Sequence, residues 1–258
     1  MRVAVCVKSV VSKEPKNVKG PFVPRSPDQC VLNPFDRPAV GLARELAGET
    51  GEVCAVSMGP QTAMGALREA LALGADRGVL LCDPALAGSD TLATSRALAA
   101  AAKRLSPLDL VVFGTRSADS DTGHVPPQTA VLLGLPLVSW VVSAKISQGV
   151  LSALRAADGF EEKVRAPLPA VVTVHPKVPA PEEPGLADLD AAFDKKPLTC
   201  WDLAALGVSP GQAGQAGSPT TVLSMARTKA GRSCELLEGS GRDQARELVR
   251  RLKDKGLL

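Results

Sequence analysis

Apolar runs rich in β-branched residues recur along this chain, separated by segments of helical periodicity. That alternation restricts the fold more than any other feature. The runs are RVAVCV (2–7), EVCAVSM (52–58), RGVLLC (77–82), LDLVVFG (108–114), LVSWVVSAKI (137–146) and PAVVTV (169–174). Between most of them lie segments with apolar residues three to four apart: RPAVGLARELAGE (37–49), TAMGALREALAL (62–73), DTLATSRALAAAAKRL (90–105) and PPQTAVLLG (126–134). Strands buried on both faces read as continuous apolar runs, and strands alternating with helices imply parallel pairing through crossovers. The expected fold is α/β: an open, doubly wound, mainly parallel, Rossmann-like sheet over roughly residues 1–175.

Local signals add detail. Asn33 followed by Pro34 reads as a helix N-cap with proline at the first helical position. Asp90 reads as the cap of the helix ending in AAKRLSP, with Lys103 and Arg104 near its C-terminal dipole. Residues 147–168 carry two short alternating stretches around Asp158-Gly159, the signature of an antiparallel hairpin. Beyond Val174, HPKVPAPEEPG (175–185) reads as an extended arm, SPGQAGQAGSPTT (209–221) as a flexible linker and GRDQARELVRRLKDKGLL (241–258) as an amphipathic helix. The expected division is an α/β domain over 1–180, hairpin included, and an arm, linker and final helix over 181–258.

Composition narrows the function classes. A formal charge of +3 with 3% aromatics and no tyrosine gives neither a basic stripe nor stacking platforms, so no nucleic-acid partner is expected. The amino terminus has no extended apolar core or small-residue cleavage site. No apolar run approaches the roughly 18 residues of a membrane span, so the chain is not expected to be membrane-embedded. The six cysteines, Cys6, Cys30, Cys54, Cys82, Cys200 and Cys234, are dispersed and form no CxxC pair. That usage fits a reducing, cytoplasmic setting and no metal site.

In such sheets ligands bind beyond the carboxyl ends of the strands. Neither GxGxxG nor GxxxxGK[ST] occurs there, so a conventional dinucleotide fingerprint and a P-loop are both absent. The richest loop is GTRSADSDTGHVPPQTAVLLGLP (114–136). Ser120, Thr122 and Gly123 would let backbone amides approach an anion at a helix start, and Pro126 and Pro127 suit that start. Equally, its Asp and Ser residues are ordinary turn and cap formers. Asp119 and Asp121 would organise the loop or hold a ribose hydroxyl; no nucleophile or base accompanies them as a catalytic pair. His124 is either a ligand contact or solvated, and His175, before a proline at a strand end, reads as structural. Phe35 is either a hydrophobic anchor for its helix or a platform for a flat ring.

Taken together, these residues resemble the beta subunit of electron-transfer flavoproteins over nearly the whole chain. The resemblance rests on VAVCVKSV at the start, NPFD (33–36), AVSMGP followed by REALALGADRGVLL, and DGFEEKVRAPLPAVVTV. Its most specific piece is ADSDTGHVPP, similar to the family's Asp-Gly-Asp-Thr-Ala-Gln-Val-Gly-Pro loop. That version is associated with FAD-rich, electron-bifurcating and nitrogen-fixation-related members. Gly123-His124 stand here for Ala-Gln and Pro126 for Gly, and PAPEEPG replaces the usual Asn-x-Pro-Arg.

The resemblance implies an obligate heterodimer with an alpha subunit, carrying electrons and not itself an enzyme. It implies an FAD shared with the alpha subunit and a second nucleotide, FAD or AMP, in an adenine-nucleotide site of this chain. Cys6, Asn33, Pro34, Phe35, Asp36, Met58, Gly114, Ser117, Ser120, Asp121, Thr122, Gly123, His124 and Val125 would line that site, with Phe35 toward the flavin ring. No catalytic or metal-binding residue is implied. Leu189 would anchor a partner dehydrogenase, with Lys195 and Lys196 as a remnant basic stretch. The implied donor is a flavin dehydrogenase of acyl-CoA dehydrogenase type, as in fatty acid β-oxidation, and the acceptor a quinone oxidoreductase or a ferredoxin-type protein. Two alternatives stand beside this reading: a bifurcating, NADH-oxidising flavoprotein subunit, and a stand-alone ATP- or AMP-binding module of the stress-protein kind.

Overall fold

A computed structural model describes residues 1–12, 30–224 and 234–258. The chain divides into two compact units, Met1–Met225 and Ala226–Leu258. In the first, the strands are β1 (Arg2–Cys6), β2 (Ser9–Val11), β3 (Cys30–Leu32), β4 (Glu52–Met58), β5 (Arg77–Leu81), β6 (Leu110–Gly114), β7 (Leu137–Ser147), β8 (Val150–Ala157), β9 (Phe160–Pro167), β10 (Ala170–Val174) and β11 (Leu198–Trp201). Its helices are α1 (Arg37–Ala47), α2 (Met64–Ala72), α3 (Thr91–Leu105), α4 (Val125–Leu133), α5 (Leu186–Asp190) and α6 (Leu203–Leu206).

Nine strands form one sheet in the order β11-β5-β4-β1-β6-β10-β7-β8-β9, parallel from β11 to β7 and antiparallel through β8 and β9. The expected doubly wound, mainly parallel sheet is present. Helices α1 and α2 cover one face, packing Val40, Ala43, Leu67 and Leu71 on Val3, Val5, Val53 and Leu110. Helix α3 covers the other, packing Ala97, Ala101 and Leu105 on Ala4, Cys6, Val56 and Phe113. Alanine dominates the buried helix faces, which suits a core with few aromatics.

The first half of the chain winds from β1 outward through β4 to β5; α3 then returns to β6, on the other side of β1. The order therefore reverses between β1 and β6, the place where an open α/β sheet leaves a crevice at its carboxyl edge.

Two local expectations are refined and one holds. The Asp158-Gly159 hairpin joins β8 to β9, and a second hairpin at Gln148-Gly149 joins β7 to β8, giving a meander instead of a single hairpin. Asp90 caps α3 as expected, accepting the Ala93 N–H at 2.9 Å. The stretch 209–221, expected to be a flexible linker, packs against that same cap. Ser218 Oγ accepts the Asp90 N–H, the Gln215 N–H reaches the Ala87 carbonyl and the Thr220 N–H reaches Asp90. Two of its glycines serve close approach: a Cβ on Gly214, at φ +55, would collide with the Ala85 carbonyl, and one on Gly217 with the Gln212 backbone.

In the second unit, α7 (Gly241–Asp254) is capped by Ser240 and laced by Arg250 and Arg251 to Glu247. Leu248 and Val249 are exposed. No helix among the described residues is long and apolar enough to cross a membrane.

Candidate functional site

Three segments meet at the β1/β6 reversal: the end of β1 with Val7 and Lys8, the turn Asn33–Asp36 before α1, and the loop from Gly114 to Val125 between β6 and α4. Asn33 was expected to cap a helix; the structure corrects this. Helix α1 begins at Arg37, with Asp36 at the cap position, and the Asp36 N–H turns back to the Asn33 carbonyl. The buried Asn33 amide reaches across instead, donating from Nδ2 to the Arg116 carbonyl at 2.9 Å and accepting the Ala118 N–H at 3.1 Å. One side chain thus roots the long loop onto the α1 turn.

Asp36 is the second root. Its Oδ2 accepts the Lys8 N–H at 2.8 Å, and the Gly114 N–H also donates to it. Gly114 has no room for a side chain, because a Cβ would meet the Asp36 carboxylate and lie 2.5 Å from the Phe35 carbonyl. Burial dominates the Asp36 environment and pushes its pKa from 3.8 up to about 7. The amides of Lys8 and Gly114, Asn33 and the Lys8 charge oppose that rise without cancelling it.

Two cations that the sequence reading did not single out flank the loop. The Lys8 ammonium donates to Asp119 at 2.7 Å and to Ser117 and Ser120 at 3.3 Å. The loop backbone is exposed, yet the Asp119 side chain is only 14% exposed. The Arg116 guanidinium lies 4.7 Å from the Phe35 ring centroid and pairs with Asp121 at 3.3 Å. Asp119 is thus tied through Lys8 to the end of β1, whereas Asp121 pairs with Arg116 at the exposed rim. The Val-Lys end of the first apolar run was the available signal for Lys8; Arg116 carried none beyond its position in the loop.

The remaining residues divide by position. Ser117 and Ser120 share a hydrogen bond at 2.8 Å. Asp121 and Gly123 both take left-handed backbone, at φ +50 and +64, which turns the loop toward α4. Thr122 and His124 are exposed, and His124 sits at the cap position of α4 without a side-chain cap bond. Val125 opens α4, and Pro126 and Pro127 after it have no N–H, so the helix's first turn lacks two of its amide donors. Thr115 Oγ1 is buried with no hydrogen-bond partner. Pro34 is exposed and Phe35 half-buried, its ring serving as the seat for Arg116. Cys6 and Met58 belong to the apolar α3 face of adjacent strands; burial pushes the Cys6 thiol well above its ordinary range, leaving it an inert small hydrophobe.

Four other positions, His175, Leu189, Lys195 and Lys196, lie elsewhere. His175 accepts the Lys177 N–H at 3.0 Å and packs 5.5 Å from Trp140, a structural role as read. Leu189 sits on α5, 38% exposed, between the more exposed Leu186 at 87% and Phe193 at 61%. These three line a shallow depression of about 500 Å³. Lys195 is exposed, whereas Lys196 turns inward and caps α2, donating to the Leu71 and Ala75 carbonyls at 2.7 and 2.8 Å.

Residues 25–206 match the electron transfer flavoprotein domain. An electron transfer flavoprotein subunit beta of Thermoanaerobacterium thermosaccharolyticum is 34% identical over 88% of each chain. The Caffeyl-CoA reductase-Etf complex subunit CarD of Acetobacterium woodii is 34% identical over the full length of both. The Acryloyl-CoA reductase electron transfer subunit gamma of Anaerotignum propionicum is 32% identical, also over both full lengths. The stand-alone module is thereby set aside, and the chain belongs to the electron transfer flavoprotein family, in its beta-subunit branch.

Proposed function

We propose that this chain holds an adenine nucleotide, FAD or AMP, at the β1/β6 reversal and works as the electron-carrying beta subunit of a heterodimer with an alpha-type subunit. The observation that carries the reading is the convergence of Lys8, Asn33, Asp36 and the 114–125 loop at the sheet's ligand edge. The residues fit such a group: an unpartnered buried Thr115 hydroxyl, two flanking cations, and a loop of small residues with left-handed backbone. A bound flavin would supply the redox chemistry. The chain's own residues would orient the nucleotide and shield one side of it.

The loop's outer side is exposed, which supports a site completed by a second chain. The exposed Leu186, Leu189 and Phe193 on the α5 segment would meet a flavin dehydrogenase. Two relatives named for acyl-CoA-type reductases support a donor or acceptor that handles CoA thioesters. The second reading, a bifurcating NADH-oxidising assembly with a second FAD in this chain, is favoured by the Asp-Ser-Asp-Thr-Gly form of the loop. Co-expression with the alpha chain and acid release of the bound nucleotides tests both. One FAD and one AMP per heterodimer supports the carrier, and two FAD with NADH-dependent reduction supports bifurcation. The absence of adenine nucleotide from this subunit would reject the site.

A further inference from the structure

The two cations at the loop are held in different ways. The Lys8 ammonium is committed, with three loop atoms within 3.3 Å and a counter-ion only 14% exposed. It is a strut between β1 and the loop. The Arg116 pair is loose: its nitrogen–oxygen distances of 3.3 and 3.4 Å exceed the roughly 2.7–2.9 Å of a good charge-assisted bond. Both members are solvent-facing, Arg116 at 43% and Asp121 at 61% exposure, and exposed pairs of this kind contribute little. Yet the guanidinium is already oriented, because it stacks on the Phe35 ring, itself fixed by the turn that Asn33 and Asp36 root. A pre-oriented cation with a weakly held carboxylate is built to exchange that carboxylate for a better anion.

We infer that Arg116 is the phosphate-reading residue of the switch-point site and that Asp121 is a placeholder which a nucleotide phosphate displaces. This rests on the reading of the site as a nucleotide site and adds a residue and a direction of effect. A phosphate accepts two parallel bonds from a guanidinium, which a side-on carboxylate at 3.3 Å does not use. Asp121 then competes with the ligand, so its removal should tighten binding. A purely structural aspartate would behave in the opposite way.

The test is calorimetry on the nucleotide-depleted heterodimer with AMP, FAD and adenosine as probes, using wild type, Arg116→Gln and Asp121→Asn. Wild type should prefer AMP over adenosine by about tenfold or more, the worth of one charge-assisted hydrogen bond. Arg116→Gln should erase that preference while leaving adenosine affinity and the thermal midpoint unchanged. Asp121→Asn should tighten AMP severalfold and leave adenosine alone. A parallel loss for FAD in Arg116→Gln places a shared phosphate on Arg116, and loss for AMP alone places a monophosphate there. If Arg116→Gln keeps the preference, or Asp121→Asn weakens AMP as Arg116→Gln does, the assignment fails while the nucleotide site stands. If wild type binds none of the three probes, the site reading itself fails.

Discussion

Replacing Asp36 by asparagine should convert a pH-dependent weakness into a pH-independent contact. Asp36 is 5% exposed, and its pKa moves from 3.8 to about 7 on folding, burial being the cause. Below pH 4 the group is protonated in both states. Between pH 4 and 7 the unfolded chain has lost this proton while the folded chain keeps it, so stability falls as pH rises; above 7 the loss is complete and constant. At about 1.36 kcal/mol per pH unit the displacement is worth at most about 4 kcal/mol. The substituted amide keeps one strong acceptor for the Lys8 and Gly114 N–H groups, as the protonated carboxyl does, and has no charge to desolvate. Urea unfolding followed by Trp140 and Trp201 fluorescence, at fixed protein concentration, should show wild type and Asp36→Asn within about 1 kcal/mol at pH 4. The variant should be more stable by about 2–4 kcal/mol at pH 8. A difference flat across that range, or a variant less stable at pH 8, would refute the claim that burial governs this carboxyl.

Gly114→Ala forces a Cβ into the Asp36 carboxylate and the Phe35 carbonyl, so a loss of about 1–3 kcal/mol is expected, read as a lower denaturant midpoint. Asp90→Ala removes the α3 cap and the anchor for the Thr220 N–H, and should cost about 1–2 kcal/mol in the same assay. Phe193→Ala and Leu186→Ser, at exposed positions, should leave stability within about 0.5 kcal/mol while slowing reduction by the partner dehydrogenase in stopped-flow. Lys196→Ala frees the Leu71 and Ala75 carbonyls and should lower stability instead, read in the same denaturant assay.

What could be read from the sequence was whatever local chemistry dictates. The apolar runs became the central strands because double-sided burial leaves no polar alternation, and Asp90 and Asp158-Gly159 acted on their immediate neighbours. Asn33 misled because an Asn before Pro caps a helix with the same amide oxygen that here accepts an N–H 85 residues away. Edge strand β11, four residues long, was invisible for a related reason. Its pairing with β5 is a long-range choice that a short, half-exposed segment does not advertise. Gly214 and Gly217 looked like freedom and proved to be close packing, since a sequence does not say which backbone comes near. At the site, the loop and NPFD were legible as motifs. The roles of Lys8, Thr115 and Arg116 depend on which loops the β1/β6 reversal brings together.

The central claim is that this reversal seats an adenine nucleotide. The most direct measurement is quantification of acid-released FAD and AMP from the co-purified heterodimer, wild type against Gly114→Ala. The account predicts two nucleotides per heterodimer in wild type and selective loss of one when Gly114 is replaced. A single FAD in wild type, unchanged by the substitution, would contradict it.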